Sequence, residues 1–245
     1  MKTGECSNMT IALTILGASG KMGQKVLELA RKDPDFHIAA LYSRKESDLP
    51  YALAQCNVAI DFSSPEGAAQ HLEAAVSAKK ALVIGTTGLS DQEKQAIDDA
   101  ARTIPILYSP NFSFGMALCL DAAARLGKVL FGKSAIDIQE THHVHKKDRP
   151  SGTALALAKA IGNGKVIFQN EGSSRKKEEI LIHSTRSGET VGEHSLIFES
   201  DHERIEIKHT AHSRDAFAHG ALMGAKFLAK QAPGLYMLQD MFIGI

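Results

Sequence analysis

The segment Glu140-Thr141-His142-His143-Val144-His145-Lys146-Lys147-Asp148-Arg149-Pro150-Ser151-Gly152-Thr153 concentrates more proton-transfer and anion-binding chemistry than any other part of the chain. Three histidines and two lysines fall within eight positions. Imidazoles titrate near neutral pH, so they give or take protons there. The Pro150-Ser151-Gly152-Thr153 turn opens an apolar helix expected over Ala154–Ile161. A Ser- and Thr-bearing turn at a helix start offers backbone N–H groups that hold a carboxylate or phosphate. Together these residues suit a site that protonates an anionic small molecule.

Which of them share a cavity depends on local backbone. His142 and His143 are neighbours and face opposite sides of a strand. If the segment stays extended, His142 and Lys146 share parity and face one cavity; a break at His143 removes that relation. His142, His143 and His145 also invite a zinc reading. Their spacing lacks the i, i+4 geometry of a helical zinc site, and the adjacent lysines oppose a cation. No metal is expected. A basic surface loop is the plain alternative, and the helix start that follows argues against it.

A second constellation lies near the N-terminus. The apolar run Thr10–Leu16 reads as a buried strand and ends at Gly17-Ala18-Ser19-Gly20-Lys21-Met22-Gly23, after which Lys21–Arg31 has a helical pattern. Strand, glycine turn and helix form the context of dinucleotide binding, because glycines let the backbone approach a pyrophosphate at a helix N-terminus. The G-x-x-G-x-x-G spacing is looser than the usual fingerprint, so the motif alone is equally a tight turn into a helix. After the second expected strand, His37–Leu41, the chain carries Tyr42-Ser43-Arg44-Lys45 and no acidic residue. Arg44, with Lys21 or Lys45, can pair with a 2′-phosphate, so NADPH is expected over NADH, with NADH still possible. Gly85-Thr86-Thr87-Gly88 and Ser109-Pro110-Asn111-Phe112 follow two further strands, at the sheet edge where ligands bind in open α/β folds. Their Thr and Asn groups could hold a nicotinamide carboxamide, although the same residues are ordinary in turns.

The elements that position these loops follow from periodicity. Strands at Asn57–Phe62, Ala81–Ile84 and Ile104–Tyr108 alternate with helices at Pro65–Ala78 and after Ser90, where Glu93 completes a capping-box pattern. Such alternation predicts an α/β domain with a parallel sheet covered on both faces. Beyond Pro110 the rhythm changes. A long helix, Phe114–Phe131, precedes strand-like segments at Ile136–Glu140, Ile180–Thr185, Glu193–Glu199 and Glu203–Thr210, the last two joined by a hairpin turn at Ser200-Asp201-His202. Strands in succession predict a second, α+β domain with a mixed or antiparallel sheet. A last helix is expected over Asp215–Gln231. The expected division is 9–113 with 214–245 for the nucleotide and 114–213 for the substrate.

Bulk composition narrows the classes. The 245 residues are 44% hydrophobic and 23% charged with zero formal net charge, which is ordinary for a soluble globular protein and argues against a general nucleic-acid binder. No apolar run reaches the ~18 residues of a membrane span, and Met1–Met9 lacks the apolar core of a signal peptide. Cys6, Cys56 and Cys119 are scattered, so idle thiols in a reducing cytoplasm are expected rather than disulfides or zinc.

In order along the chain, Gly17–Gly23, Gly85-Thr86-Thr87-Gly88, Asn111-Phe112-Ser113-Phe114-Gly115-Met116 and Glu140–Ala154 resemble the 4-hydroxy-tetrahydrodipicolinate reductase (dihydrodipicolinate reductase) family of lysine biosynthesis. The resemblance extends over residues 10–245, and its histidine segment is far more specific than its glycine turn. It implies a Rossmann-like cofactor domain completed by the C-terminal helix, and a substrate domain whose sheet builds a homotetramer. It implies NAD(P)H-dependent reduction, with loss of water, of the cyclic aldol product of pyruvate and aspartate semialdehyde to tetrahydrodipicolinate in the diaminopimelate pathway. His142 matches the family's proton donor and Lys146 its second catalytic residue. His143, Ser151, Gly152 and Thr153 match substrate-binding positions. Gly17–Gly23, Gly85–Thr87 and Ser109–Phe112 match cofactor-binding segments. Two stretches depart from the family: Arg44–Cys56 is short, which puts its cofactor contacts in question, and Met223 stands where relatives often carry arginine. Another nicotinamide oxidoreductase would keep the first domain but has no use for the histidine segment beside Pro-Ser-Gly-Thr. A nucleotide sensor on the same fold would bind cofactor without turnover.

Overall fold

A computed structural model of the chain describes residues 10–43, 48–168, 176 and 178–242. Its elements run β1 (Ile11–Leu16), α1 (Lys21–Ala30), β2 (Phe36–Tyr42), α2 (Leu49–Ala54), β3 (Val58–Asp61), α3 (Pro65–Ala78), β4 (Ala81–Ile84), α4 (Asp91–Ala100) and β5 (Pro105–Tyr108). There follow α5 (Phe114–Leu130), β6 (Ala135–His142), α6 (Gly152–Ile161), β7 (Lys165–Phe168), β8 (Glu179–Arg186), β9 (Gly192–Glu199) and β10 (Arg204–Ala211). The chain closes with α7 (Asp215–Leu228), β11 (Gly234–Tyr236) and a 3-10 turn at Leu238–Phe242. Two compact units result: one runs to Phe112 and resumes at Phe217, and the other is Ser113–Ala216.

The first unit is a six-stranded sheet in the order β11-β5-β4-β3-β1-β2, every pairing parallel. β3 and β4 are buried at every position, as expected of strands covered on both faces. Register aligns the strand ends: Leu16 pairs with Tyr42 and Asp61, Asp61 with Ile84, and Ile84 with Tyr108. The loops beginning at Gly17, Ser43, Phe62, Gly85 and Ser109 therefore leave the same edge. Strand order reverses between β1 and β3, the switch point at which open sheets bind ligands.

The second unit is a five-stranded sheet in the order β10-β9-β6-β8-β7. It is mixed: β8 runs parallel to β6 and β7, whereas β9 is antiparallel to β6 and β10. Ile136 and Ile138 of β6, Ile180 and Ile182 of β8, and Leu196 and Phe198 of β9 pack with Met116 and Ala123 of α5 and with Ala154, Leu157, Ala158 and Ile161 of α6. One sheet face thus carries the core, and every second residue of its strands points into it.

Three short elements differ from expectation. The segment after Arg44 contains α2, capped by Asp48, whose side chain accepts the Tyr51 N–H at 3.3 Å; six residues are too few to show a helical period. β7 and β11 are edge strands of three or four residues without alternation, and pairing with β8 and β5 creates them. α7 stops at Leu228, short of Gln231.

Candidate active site

In the first unit, Gly17 sits at φ +76, a conformation that favours glycine. A Cβ on Gly23 would lie 2.3 Å from the Gly17 carbonyl oxygen, so the third glycine is what lets α1 fold back onto the turn. Gly20 caps α1 without a side-chain hydrogen bond, which leaves the positive end of the helix dipole to a ligand anion. Gly85 is dictated differently: a Cβ there would strike the Phe62 ring at 2.1 Å.

Two adjoining cavities flank this turn. One, of 240 Å³, is lined by Gly17, Ser19, Gly20, Tyr42, Ser43 and His71 among others. The other, of 460 Å³, is lined by Gly20, Lys21, Met22, Gly85, Thr86 and Thr87 among others. Both include Phe62, Ser63 and Ser64. A bare helix start, a glycine cradle and hydroxyl-lined space on either side fit a dinucleotide, with the Tyr42–Ser43 end suited to a ribose and the Thr86–Thr87 end to an amide. Beneath lies a buried pair, His71 Nδ1 at 2.9 Å from Asp61 Oδ2. Asp61 also accepts the Ser63 N–H at 2.8 Å and the Thr86 hydroxyl at 3.4 Å. One carboxylate thus ties together the loops after β3 and β4.

In the second unit the inward stripe of β6 changes character. Ile136 and Ile138 are followed by Glu140 and His142, on the same face and still buried. Across the sheet Glu140 pairs in register with Ser184 and His194, and His142 with Arg186. The apolar core row thereby continues as a row of ionisable groups. Glu140 Oε2 is hydrogen-bonded to His142 Nδ1, and Arg186 Nη1 donates to both Glu140 oxygens at 2.9 and 3.0 Å. Burial pushes the Glu140 carboxyl up, but bonds from His142, Ser184 and Arg186 outweigh it and hold the group down at about 2. An ionised Glu140 accepts Nδ1–H and so fixes the ring, leaving Nε2 as the exchangeable position. Gly192 lies on that side, where any side chain would crowd the ring: its Cβ would come within 3.1 Å of His142 Nε2.

His194 packs edge-on against His142 with ring centres 5.0 Å apart. Burial and then the neighbouring His142 push its imidazole down to about 3, so it is neutral. Its Nε2 lies 3.1 Å from Ser151 Oγ, which also accepts the Ala154 N–H at 3.1 Å and caps α6. Glu140, His142 and His194 offer three ligand atoms within 4.8 Å of one another. The Arg186 guanidinium already neutralises Glu140, which favours proton chemistry over a cation here. His143 and His145, put forward by sequence for zinc, are not part of that cluster.

The chain leaves β6 at once. Val144 and His145 form a turn, and the Lys146 N–H donates to the His143 carbonyl at 3.2 Å. The extended-strand parity between His142 and Lys146 therefore fails. Arg186 links them instead: besides Glu140, its Nε donates to the Lys146 carbonyl at 3.3 Å and its Nη2 to the Asp148 carbonyl. His143 Nδ1 is buried without a hydrogen-bond partner among the described residues; burial and then Arg214 push its imidazole down.

Two sequence models of one family match the chain. Dihydrodipicolinate reductase, N-terminus, matches residues 11–112, and dihydrodipicolinate reductase, C-terminus, matches residues 115–242. The chain belongs to the dihydrodipicolinate reductase family. A 4-hydroxy-tetrahydrodipicolinate reductase of Akkermansia muciniphila is 40% identical over 239 residues, covering 94% of this chain and 97% of its own length. One from Caldanaerobacter subterraneus is 40% identical over 248 residues, covering 95% and 98%. Among solved structures, a dipicolinate-bound dihydrodipicolinate reductase from Paenisporosarcina sp. TG-14 shares the fold with a TM-score of 0.79 at 22% identity, over 95% of this chain and all of that one. The Rossmann-like α/β fold and the mixed second sheet are those of this family.

Set in this reductase fold, the residues singled out by sequence divide between the units. His142, His143, Lys146, Ser151, Gly152 and Thr153 gather at the end of β6 and the start of α6. Gly17, Ala18, Ser19, Gly20, Lys21, Met22 and Gly23 form the turn into α1, with Gly85, Thr86 and Thr87 across the larger cavity. In the third loop Phe112 buries its ring in an edge contact with Phe62, and Ser109 Oγ donates to the Asn111 carbonyl at 2.7 Å; the Phe112 ring is core. Arg44 lies outside the described residues. Sequence reading missed Glu140's role as the anchor of His142, as well as Arg186, His194, Asp61 and His71. Glu140 alone carried a signal, a glutamate in an inward position of an alternating strand; the others are partners brought from distant strands and helices.

Proposed function

We propose that this chain reduces 4-hydroxy-tetrahydrodipicolinate to tetrahydrodipicolinate in the diaminopimelate route to lysine, with NADPH preferred as hydride donor and NADH usable. The observation that carries this reading is the Glu140–His142 pair, buried at the end of β6 beside the Ser151–Gly152 helix start, in a chain matched along its length by the reductase family. Loss of the 4-hydroxyl as water leaves a C=C bond conjugated to the ring C=N. A nicotinamide cofactor held by the glycine turn of the first unit would supply the hydride for this system. His142, its Nδ1 held by Glu140, gives a proton from Nε2 to the charge that develops. Lys146 and the N–H groups at the start of α6 receive the substrate carboxylates, with His143, Ser151, Gly152 and Thr153 lining the position. In the first unit Gly17–Gly23 receives the pyrophosphate, Gly85–Thr87 and Ser109–Phe112 the nicotinamide side, and Arg44 the 2′-phosphate. The cytoplasm and a homotetramer are the setting that the family resemblance supports.

The test is loss of NADPH absorbance with freshly prepared aldol product of pyruvate and aspartate semialdehyde, beside NADH and His142→Ala. Rapid turnover is expected, falling by roughly 10²–10⁴-fold in the variant while NADPH still binds. A lower Michaelis constant for NADH than for NADPH would reverse the cofactor assignment. Nucleotide binding without turnover by either cofactor would overturn the reductase reading.

A further inference from the structure

The ammonium of Lys146 already has a partner. Its Nζ lies 2.8 Å from Asp148 Oδ1. Burial raises the Asp148 carboxyl, but the Lys146 ammonium, with a smaller contribution from the backbone N–H of Gly152 at the start of α6, holds it below its usual range. A lysine ammonium and a helix-start N–H are the donors that a substrate carboxylate needs at this position. Asp148 therefore presents to the site the chemical group that the substrate would bring.

Its surroundings allow exchange. The Asp148 backbone is held independently of its side chain, because Arg186 Nη2 donates to its carbonyl and Arg186 Nε to that of Lys146. The carboxylate can swing away without the loop moving. The Asp148 side chain is 55% exposed against 24% for Lys146, so the aspartate is at the solvent side of the pair. Among the described residues, nothing lies within 4 Å of where a Gly152 Cβ would stand, which leaves room over the helix start. Lys147 and Arg149, both exposed, flank Asp148 in sequence and give the displaced carboxylate other cations. A half-exposed ion pair of this kind shifts an equilibrium only a few-fold. A dicarboxylate with further contacts to the site outcompetes it.

We propose that Asp148 is a resident carboxylate: it occupies the anion site of Lys146, next to the start of α6, in the empty enzyme, gives way to a substrate carboxylate, and returns as product leaves. This rests on the dicarboxylate substrate proposed above. Exchange of one carboxylate for another leaves Lys146 charged and aimed at the site throughout, and bars stray anions from it between turnovers. The product carries the same two carboxylates, so a built-in competitor also favours its release.

The experiment is calorimetric titration of dipicolinate (pyridine-2,6-dicarboxylate) into the NADP-saturated protein, for the native chain, Asp148→Asn and Asp148→Ala, with substrate kinetics alongside. The asparagine keeps the shape and loses the charge; the alanine removes both. Both variants are expected to bind dipicolinate more tightly, on the order of fivefold, with KM for the substrate lowered in step. Unchanged or weaker binding in both would overturn the proposal and make Asp148 a fixed clamp on Lys146. A native chain that neither binds dipicolinate nor turns over the aldol product would instead overturn the reductase reading itself. Native turnover with no gain in either variant would sink only the resident carboxylate.

Discussion

At the scale of single residues, the site is governed by one buried carboxylate. Glu140 is fully enclosed, yet burial does not make it neutral, because Arg186 and His142 both bond it in its charged form. A buried carboxylate with two cationic or donor partners is rigid, and rigidity passes to whatever it holds. His142 is thereby limited to one ring orientation, with Nε2 turned toward Gly192. Glu140→Gln keeps the size but removes the charge and strands Arg186. Turnover is expected to fall on the order of 100-fold, with the NADPH Michaelis constant unchanged. Steady-state kinetics with each substrate varied in turn checks this, and a loss confined to KM would show that Glu140 acts on binding instead.

At the scale of elements, close approach decides where helices stand. In α7, a Cβ on Gly220 would lie 1.8 Å from the Phe112 carbonyl oxygen, so the helix touches the loop after β5 through bare backbone. Gly220→Ala forces the two apart and is expected to destabilise the chain by about 1–3 kcal/mol. The capping box of α4 offers a milder comparison. Ser90 Oγ accepts the Glu93 N–H at 3.2 Å while Glu93 Oε2 accepts the Ser90 N–H at 2.6 Å. Ser90→Ala is expected to remove about 1 kcal/mol. Thermal melts of both variants should rank them in that order. A Gly220→Ala melt equal to the native one would mean that α7 or the loop relaxes freely.

At the scale of the whole molecule, buried ionisable groups set the response to acid. His194 stays neutral when folded down to about 3, whereas an unfolded chain protonates it near its ordinary 6.5. Glu140 stays charged down to about 2, against an ordinary 4.5. In both ranges the unfolded chain binds the extra proton, so stability falls as pH falls. The His194 contribution is lost from 6.5 toward 3 and the Glu140 contribution from 4.5 toward 2. His143 and His209, also pushed down by burial, act in the same direction as His194. Urea midpoints between pH 7.5 and 5 should therefore drop in the native chain and drop less in His194→Gln. Equal slopes would show that His194 is protonated in the fold. A homotetramer would elute in light-scattering chromatography at about four times the 26.4 kDa chain mass.

Sequence alone determined whatever is written in neighbouring residues. The period of two in β6, the glycine turn before α1, the capping signal at Ser90 and the Ser- and Thr-bearing turn before α6 are local, so the parallel sheet, a second sheet of successive strands and the His142–Thr153 segment were legible. Short pieces without a period, α2, β7 and β11, were not, because pairing or packing creates them. Nor were the partners of the site. Register sets Arg186 and His194 beside β6, and the turn at Val144–His145 overrides the parity that would have set Lys146 beside His142. Residue types announce which chemistry is available. Only tertiary structure decides which charge each group meets in a low-dielectric interior, and hence which of three histidines is anchored, which is neutral and which lysine is already paired.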